Sequence, residues 1–324
     1  VRWFGAAERL LPGDAAPEQR VELLLPRARA LAANGHLRQS HDDLLTCLGL
    51  IPGEAEAQRA QIATTCAGVE RLLGRHDDSH ERLLATLAAL RDRTTRDGVT
   101  VMLELAVDGL FRADPPSVVD WASTALRTSR DLADRPLVAA SAAMLALGTA
   151  VAGNIAPAQT GYDEAAGLVA DLADAELAER VDAAAYLTSA ATYLDRYDDA
   201  VVVAERALRV GRAAGRLHPT LLPALGAAHL MRGRLDVAAA ILDDGIEAAR
   251  LAGVTQAISW MLRNRSFVAA AAGDARTALE LAQEAVELTE ELDESVLSAW
   301  AAMALARAAV MADRPGDAIA VLGG

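Results

Sequence analysis

A six-residue turn pattern recurs about every 40 residues along the chain, and it limits the folds open to this sequence. The clearest copies are GNIAPA at 153–158, GRLDVA at 233–238 and GDARTA at 273–278, in which four mostly polar or small residues separate a glycine from an alanine. Weaker copies start at Gly35, Gly74, Ala113, Asp195 and Asp313. Because repeats of a fixed period stack on their nearest neighbours, this spacing predicts a solenoid.

Each turn lies between two stretches rich in Ala and Leu, residues that favour helix. The pattern predicts first helices at 17–34, 55–73, 97–112, 135–152, 175–194, 217–232, 254–272 and 293–312, and second helices that begin near 38, 77, 116, 157, 198, 236, 276 and 316. We therefore predict an all-α fold, an α-α superhelix of about eight helix pairs of about 40 residues each. We expect one domain over 1–324, cut from a longer protein, with 1–11 as the remnant of a preceding repeat.

The turn residues have physical roles. Glycine adopts the left-handed backbone that closes a helix, and Asp195 and Asp313 are less comfortable substitutes for it. An alanine five residues after a turn start marks the closest helix crossing, where a larger side chain would push the pair apart. These alanines are Ala158, Ala200, Ala238, Ala278 and Ala318.

Charge and composition exclude several functions. The 324 residues carry a net charge of -14, and all 31 basic residues are arginines. Phosphate backbones need clustered positive charge, so we expect no direct nucleic-acid contact. The lack of lysine excludes a Walker A lysine and a Schiff base, and the sequence holds no G-x-S-x-G motif, so we predict a protein without catalytic activity.

Cysteines and histidines give little sign of metal chemistry. Cys47 and Cys66 are too few for a disulfide framework, and no apolar run reaches the length of a membrane span, so we expect a cytoplasmic protein. His76 and His80 are four residues apart on one helical face, as in some metal sites, but HDDSH lacks the glutamate of HExxH. We interpret this segment as an exposed acidic helix start and predict no metal site.

The repeats resemble tetratricopeptide (TPR) repeats, although about 40 residues exceeds their usual length of about 34. The longer form resembles the repeat region of large ATP-binding LuxR-type transcriptional regulators of actinobacteria, relatives of the maltotriose-responsive activator. The segments that carry this resemblance are LLGRHDDSH at 72–80, YLDRYDDA at 193–200, WMLRNR at 260–265 and EAVEL at 284–288. The resemblance implies a parent protein with an N-terminal P-loop ATPase, this helical sensor arm and a C-terminal helix-turn-helix. ATP and DNA binding would then belong to domains outside these residues, and we expect no cofactor here.

In TPR-like arrays the first helices line the concave groove, so positions measured back from each turn face it. These candidate groove residues are Trp260, Arg263 and Phe267 before Gly273; Trp300, Met303 and Arg307 before Asp313; and Tyr193 before Asp195. Aromatic and arginine side chains together can stack on a ring and bind an anion. The alternative is that the aromatic residues fill the helix interface while the arginines extend to solvent. Asn264 and Arg265 leave a similar choice between a polar network that fixes neighbouring helices and a ligand contact.

These observations predict a sensor and scaffold domain of a LuxR-type regulator. A small effector or a protein would bind in the groove and change the curvature of the superhelix. The alternative is a free-standing TPR-like module for protein–protein interaction.

Overall fold

The computed structural model describes residues 12, 16–216, 218–289 and 296–323, except for the side chains of Ala252 and Val296. This part of the chain forms helices and contains no strand. The helices are α1 (Pro17–Ala33), α2 (Leu37–Leu50), α3 (Glu56–Leu72), α4 (His76–Ala89), α5 (Arg96–Phe111), α6 (Pro115–Asp131), α7 (Arg135–Val151), α8 (Ile155–Ala170), α9 (Asp174–Glu179), α10 (Val181–Tyr193), α11 (Tyr197–Ala214), α12 (Leu221–Met231), α13 (Leu235–Ala252), α14 (Thr255–Ala271), α15 (Ala275–Glu287), α16 (Val296–Met311) and α17 (Pro315–Gly323).

The helices pack as consecutive antiparallel pairs, and the first helices of neighbouring pairs also contact one another. These inner contacts run from α3 to α5, α7, α10, α12, α14 and α16 in turn. Each pair therefore buries its apolar face against the next, as a solenoid requires. The predicted all-α superhelix is confirmed.

All eight predicted turn starts have a left-handed backbone. Their φ values range from 53° at Ala113 to 81° at Gly273. Asp195 and Asp313, both at φ 58°, adopt this conformation despite their side chains. Every second helix starts within two residues of its predicted position. The repeated turn is thus a local device that ends each first helix.

The alanines after the turns lie inside the array. Ala158, Ala200, Ala238 and Ala278 are fully buried, and Ala318 is 6% exposed. The surrounding core is largely Ala, Leu and Val. Interiors of this kind are close-packed, so a larger side chain at these positions has no free volume to occupy.

The predicted helix 175–194 is wrong as a single element. It breaks at Arg180 (φ -135°, ψ 60°) into the short α9 and the longer α10. The Arg180 guanidinium forms a two-pronged ion pair with Asp182, with an Nη2–Oδ2 distance of 2.6 Å, and also donates to Thr100. These contacts hold the break against α5. The short α9 buries Leu177 and packs on α7 and α11.

The predicted helix start at 217 also differs from the structure, and some predictions fall on residues that the structure does not describe. The helix predicted to start at 217 begins at Leu221, consistent with Pro223 one turn inside the predicted start. Leu217, the proposed remnant at 1–11 and the predicted start at 293 lie outside the described residues.

The superhelix returns to touch its own beginning. Gly253, after α13, packs on Gly35, where a Cβ added at Gly253 would lie 3.3 Å from the Gly35 Cα. On α14, Gln256 Nε2 donates a hydrogen bond to the main-chain oxygen of Arg71, 185 residues earlier. Helix α16 also contacts α5. The face of this inner layer of first helices is the candidate groove, and the array meets itself at what we call the seam: Gly35, Arg71, Gly253 and Gln256.

Candidate ligand groove

Five of the seven predicted groove residues come together on α14 and α16. The Trp260 and Trp300 rings lie 5.5 Å apart between centroids, tilted by 43°. The Arg263 guanidinium lies 4.9 Å from the Trp300 ring centroid and 5.4 Å from that of Phe267. Arg307 lies 4.9 Å from the Phe267 centroid. We call Trp260, Arg263, Phe267, Trp300 and Arg307 the aromatic–arginine cluster.

The spacing of these residues explains their meeting. Trp260, Arg263 and Phe267 are three and four residues apart, so they lie on one face of α14. Trp300 and Arg307, seven residues apart, share a face of α16 in the same way. Because α14 and α16 pack as neighbouring first helices, the two faces meet.

The other two predicted residues lie at the edge of this cluster. Tyr193 ends α10 and is 47% exposed, yet the protein around it raises its pKa by desolvation, while the positive charge of Arg263 lowers it. A side chain that is open to water but surrounded by protein lines a concave surface. Met303 is 51% exposed and lies between Trp300 and Arg307 on α16, on the face that they share.

Arg263 is the least compensated member of the cluster. Its Nε is buried without a hydrogen-bond partner, and desolvation lowers the pKa of the guanidinium. Its contacts with the Phe267 and Trp300 rings are cation–π interactions, each typically worth about 0.5–2 kcal/mol. The aromatic faces stabilise the cation, but they accept none of its N–H bonds.

Two ion pairs on the inner layer of first helices were only partly predictable from the sequence. Arg71 of α3 forms an ion pair with Glu104 of α5, and Arg180 pairs with Asp182. Asp182 lies as far before the turn at Asp195 as Trp260 lies before Gly273, whereas Arg71 and Glu104 do not share the positions of the predicted groove residues.

An aromatic pair completes this region. Tyr186 contacts His218 edge to face, with 5.7 Å between ring centroids. Burial raises the pKa of Tyr186 well above its ordinary value. Burial also lowers the pKa of His218, although the negative charge of Asp182 raises it. This part of the groove is therefore polar, with its charges paired internally.

One trio in the described residues has metal-ligand chemistry. The donor atoms of His41, Cys66 and Glu70 all lie within 4.8 Å of one another and are buried. However, Glu70 already binds the Arg82 guanidinium through both oxygens, at 2.6–3.0 Å, and lies 3.0 Å from His41 Nε2. Burial raises the pKa of the Cys66 thiol to about 12. A cation would have to displace Arg82 and a thiol proton, so the geometry favours an internal ion-pair network.

The interpretation of HDDSH as an exposed acidic helix start is correct for Asp77 and Asp78, which are exposed, but wrong for the histidines, because His76 is buried and His80 is half-buried. His76 is only 7% exposed and stacks on Phe111, with 5.7 Å between ring centroids. His80 Nδ1 lies 2.8 Å from the buried carboxylate of Asp108. The two imidazoles contact the next repeat, because a helix start at a tight inter-repeat interface is covered by α5.

The polar residues of α14 have structural partners. Asn264 Nδ2 donates to the main-chain oxygen of Pro223 at 2.9 Å, and Arg265 pairs with Asp243 at the same distance. Both bonds join α14 to the preceding helix pair. They support the polar-network interpretation.

Comparisons with known proteins support the fold. No family model and no curated protein matches the chain. Among solved structures, a Rap protein complexed with competence and sporulation factor has a TM-score of 0.57 and 16% identity, over 97% of this chain and 80% of that one. Two others are less similar. A tetratricopeptide repeat protein from Parabacteroides merdae has a TM-score of 0.46 at 13% identity, over 89% and 99% of the two chains. A signal transduction ATPase with a tetratricopeptide repeat sensor from Pyrococcus horikoshii has 0.49 at 12%, over 94% and 46%.

The match to the Rap protein, taken with the eight turns, identifies a TPR-like helical-repeat fold. Identities this low show the fold alone. No helix among the described residues is long and apolar enough to cross a bilayer.

Proposed function

We propose that this chain is a non-catalytic sensor and interaction domain that binds an effector or a protein partner in its groove. The aromatic–arginine cluster is the observation that carries the proposal. It combines stacking surfaces and a cation at the inner face of two neighbouring first helices. Aromatic and arginine side chains dominate binding energy at many recognition sites.

The seam offers a way to transmit occupancy. Helix α14 carries both Gln256, which bonds Arg71, and the cluster residues Trp260 and Arg263. A ligand that binds the cluster more tightly in one curvature of the array shifts the population toward that curvature. The two sites on α14 are then coupled thermodynamically, so seam opening and ligand binding affect each other equally.

From the sequence resemblance, we further propose that this sensor belongs to a LuxR-type regulator, with ATPase and DNA-binding domains elsewhere in the parent protein. Sequencing the parent gene tests that assignment. A P-loop motif upstream and a helix-turn-helix downstream would support it. A reading frame with neither would instead favour a free-standing interaction module.

Groove binding is tested by titrating a panel of metabolites and short peptides while tryptophan fluorescence is recorded. We expect at least one ligand to change the emission of Trp260 and Trp300, and Trp300→Leu to weaken its binding. Trp121→Phe, on α6 outside the cluster, is the matched control and should bind as the wild type does. A ligand whose affinity is the same in Trp300→Leu would bind elsewhere and contradict the proposal.

A further inference from the structure

Arg263 differs from comparable arginines in the partners of its guanidinium. The other half-buried or buried arginines with described contacts each bind a carboxylate or a main-chain oxygen: Arg27, Arg59, Arg71, Arg82, Arg180, Arg196, Arg206 and Arg265. Within the described residues, Arg263 has neither kind of partner. This is notable in a protein with 45 acidic residues and only 31 basic ones.

The rings around Arg263 restrict how a partner can approach. Trp300 and Phe267 cover the guanidinium from positions 4.9 and 5.4 Å away. The hydrogen-bond donors of a guanidinium lie in its plane, along the edge, and match the two oxygens of a carboxylate or phosphate. A carboxylate or phosphate that approached Arg263 in that plane would match this donor geometry.

Arg307 strengthens the positive character of this region. Its side chain is exposed, and its guanidinium lies over the Phe267 ring, which Arg263 also contacts. Arg307 makes no ion pair with any described carboxylate. Two cations thus share one aromatic ring without an acid. Desolvation, which lowers the pKa of Arg263, shows that the guanidinium is held in surroundings that solvate it poorly. A bound anion would relieve this cost.

We infer that Arg263 is the anion-binding residue of the groove, and that the ligand carries a carboxylate or phosphate beside an apolar or aromatic group. Trp260 and Trp300 would stack on the apolar part, while Arg263 and Arg307 bind the anion. This inference rests on the proposed groove function and specifies its ligand class. Purely structural cation–π packing is the competing explanation, and it predicts no preference for anions.

Matched probes separate the two explanations. Phenylacetate represents a free carboxylate, phenyl phosphate a phosphate and N-acetylphenylalanine a peptide carboxyl end. Phenylacetamide and N-acetylphenylalanine amide are the neutral counterparts of the two carboxylates. Binding is measured by tryptophan fluorescence and by the Nε–Hε resonance of Arg263 in nitrogen-15 spectra, assigned from its loss in Arg263→Gln. Arg276→Gln, an exposed arginine on α15, is the control for charge removal.

We expect at least one acid to bind more tightly than its amide and to move the Arg263 Nε–Hε resonance downfield. Arg263→Gln should weaken that acid about tenfold, equivalent to about 1.4 kcal/mol, while Arg276→Gln leaves it unchanged. If Arg263→Gln fails to fold, Arg263→Lys replaces it, because lysine keeps the charge but loses the planar fork. Lysine also lacks the Nε–Hε group, so this variant assigns the resonance, and the wild-type protein still decides the question.

Three outcomes would overturn the inference. Acids and amides that bind equally, with weakening by Trp300→Leu, would leave the groove function intact but remove the anion site. An Arg263 resonance that stays unchanged at saturating acid would do the same. If no probe, peptide or metabolite of any charge binds the groove, the proposed function fails and this inference fails with it.

Discussion

The seam can be tested by one glycine and its matched control. Gly253 and Gly233 both follow a helix at left-handed φ, 69° and 72° respectively. Alanine at either position costs about 1–2 kcal/mol of backbone strain. Only at Gly253 would the new methyl group meet another segment, the Gly35 backbone at 3.3–3.4 Å; nothing lies within 4 Å of it at Gly233. The two variants therefore share their strain and differ in the seam.

The methyl contact at Gly253 is tighter than ordinary van der Waals distances by only a few tenths of an ångström. We expect it to loosen the seam at an extra cost below about 1 kcal/mol, comparable to the net value of one hydrogen bond such as that from Gln256. Long repeat arrays do not unfold in one step, so the effect is measured locally by hydrogen exchange. In Gly253→Ala, amides near 34–36 and 71–75 should exchange several times faster than in Gly233→Ala. Equal exchange in the two variants would show that Gly253 does not hold the seam.

Three other predictions concern stability and metal binding. In denaturant unfolding, Ala158→Leu should destabilise the fold by about 1–3 kcal/mol through overpacking. Ala156→Leu, at an exposed position on the same helix, should cost less than about 0.5 kcal/mol. Similar losses in the two variants would refute a close crossing at Ala158. Burial raises the pKa of Glu70, but hydrogen bonds from Arg82 and His41 outweigh it and hold that pKa below the ordinary value. Its contribution to stability is therefore present above the unfolded pKa and lost as pH falls through the lower folded one, and Glu70→Gln should remove this acid dependence and cost about 3–5 kcal/mol. Exposed Glu280→Gln is its control, and an unchanged acid profile in Glu70→Gln would contradict the assignment. Because Arg82 occupies Glu70, Zn²⁺ and chelators should both leave the melting temperature unchanged, and stoichiometric Zn²⁺ in calorimetry would refute this.

Local signals made the turns and most helix bounds predictable. A left-handed residue after each first helix is visible as Gly, Asp or Ala at a fixed interval, and the structure has φ above 50° at every one. The sequence also predicts the cluster residues. Positions on one helical face recur every three or four residues, and the repeat brings the faces of neighbouring first helices together.

Long-range features left no such signal. Arg180, at the helix break, donates to Thr100, 80 residues away, and the seam joins residues more than 180 apart. The acidic neighbours of His76 predict an exposed position, but Phe111 of the next repeat covers it. Arg263 has no counter-charge in the described part of the chain, and this too is a property of its tertiary surroundings, which the interval between repeats does not encode.

The seam fixes the number of helix pairs that lie between the two segments it joins. In an open solenoid, a helix pair can be inserted or deleted at the cost of one interface, because each repeat contacts only its neighbours. Here one extra pair between α4 and α13 would carry Gly253 past Gly35 and Gln256 past Arg71. A change in the length of an intervening repeat would consequently alter the fit at this one distant junction.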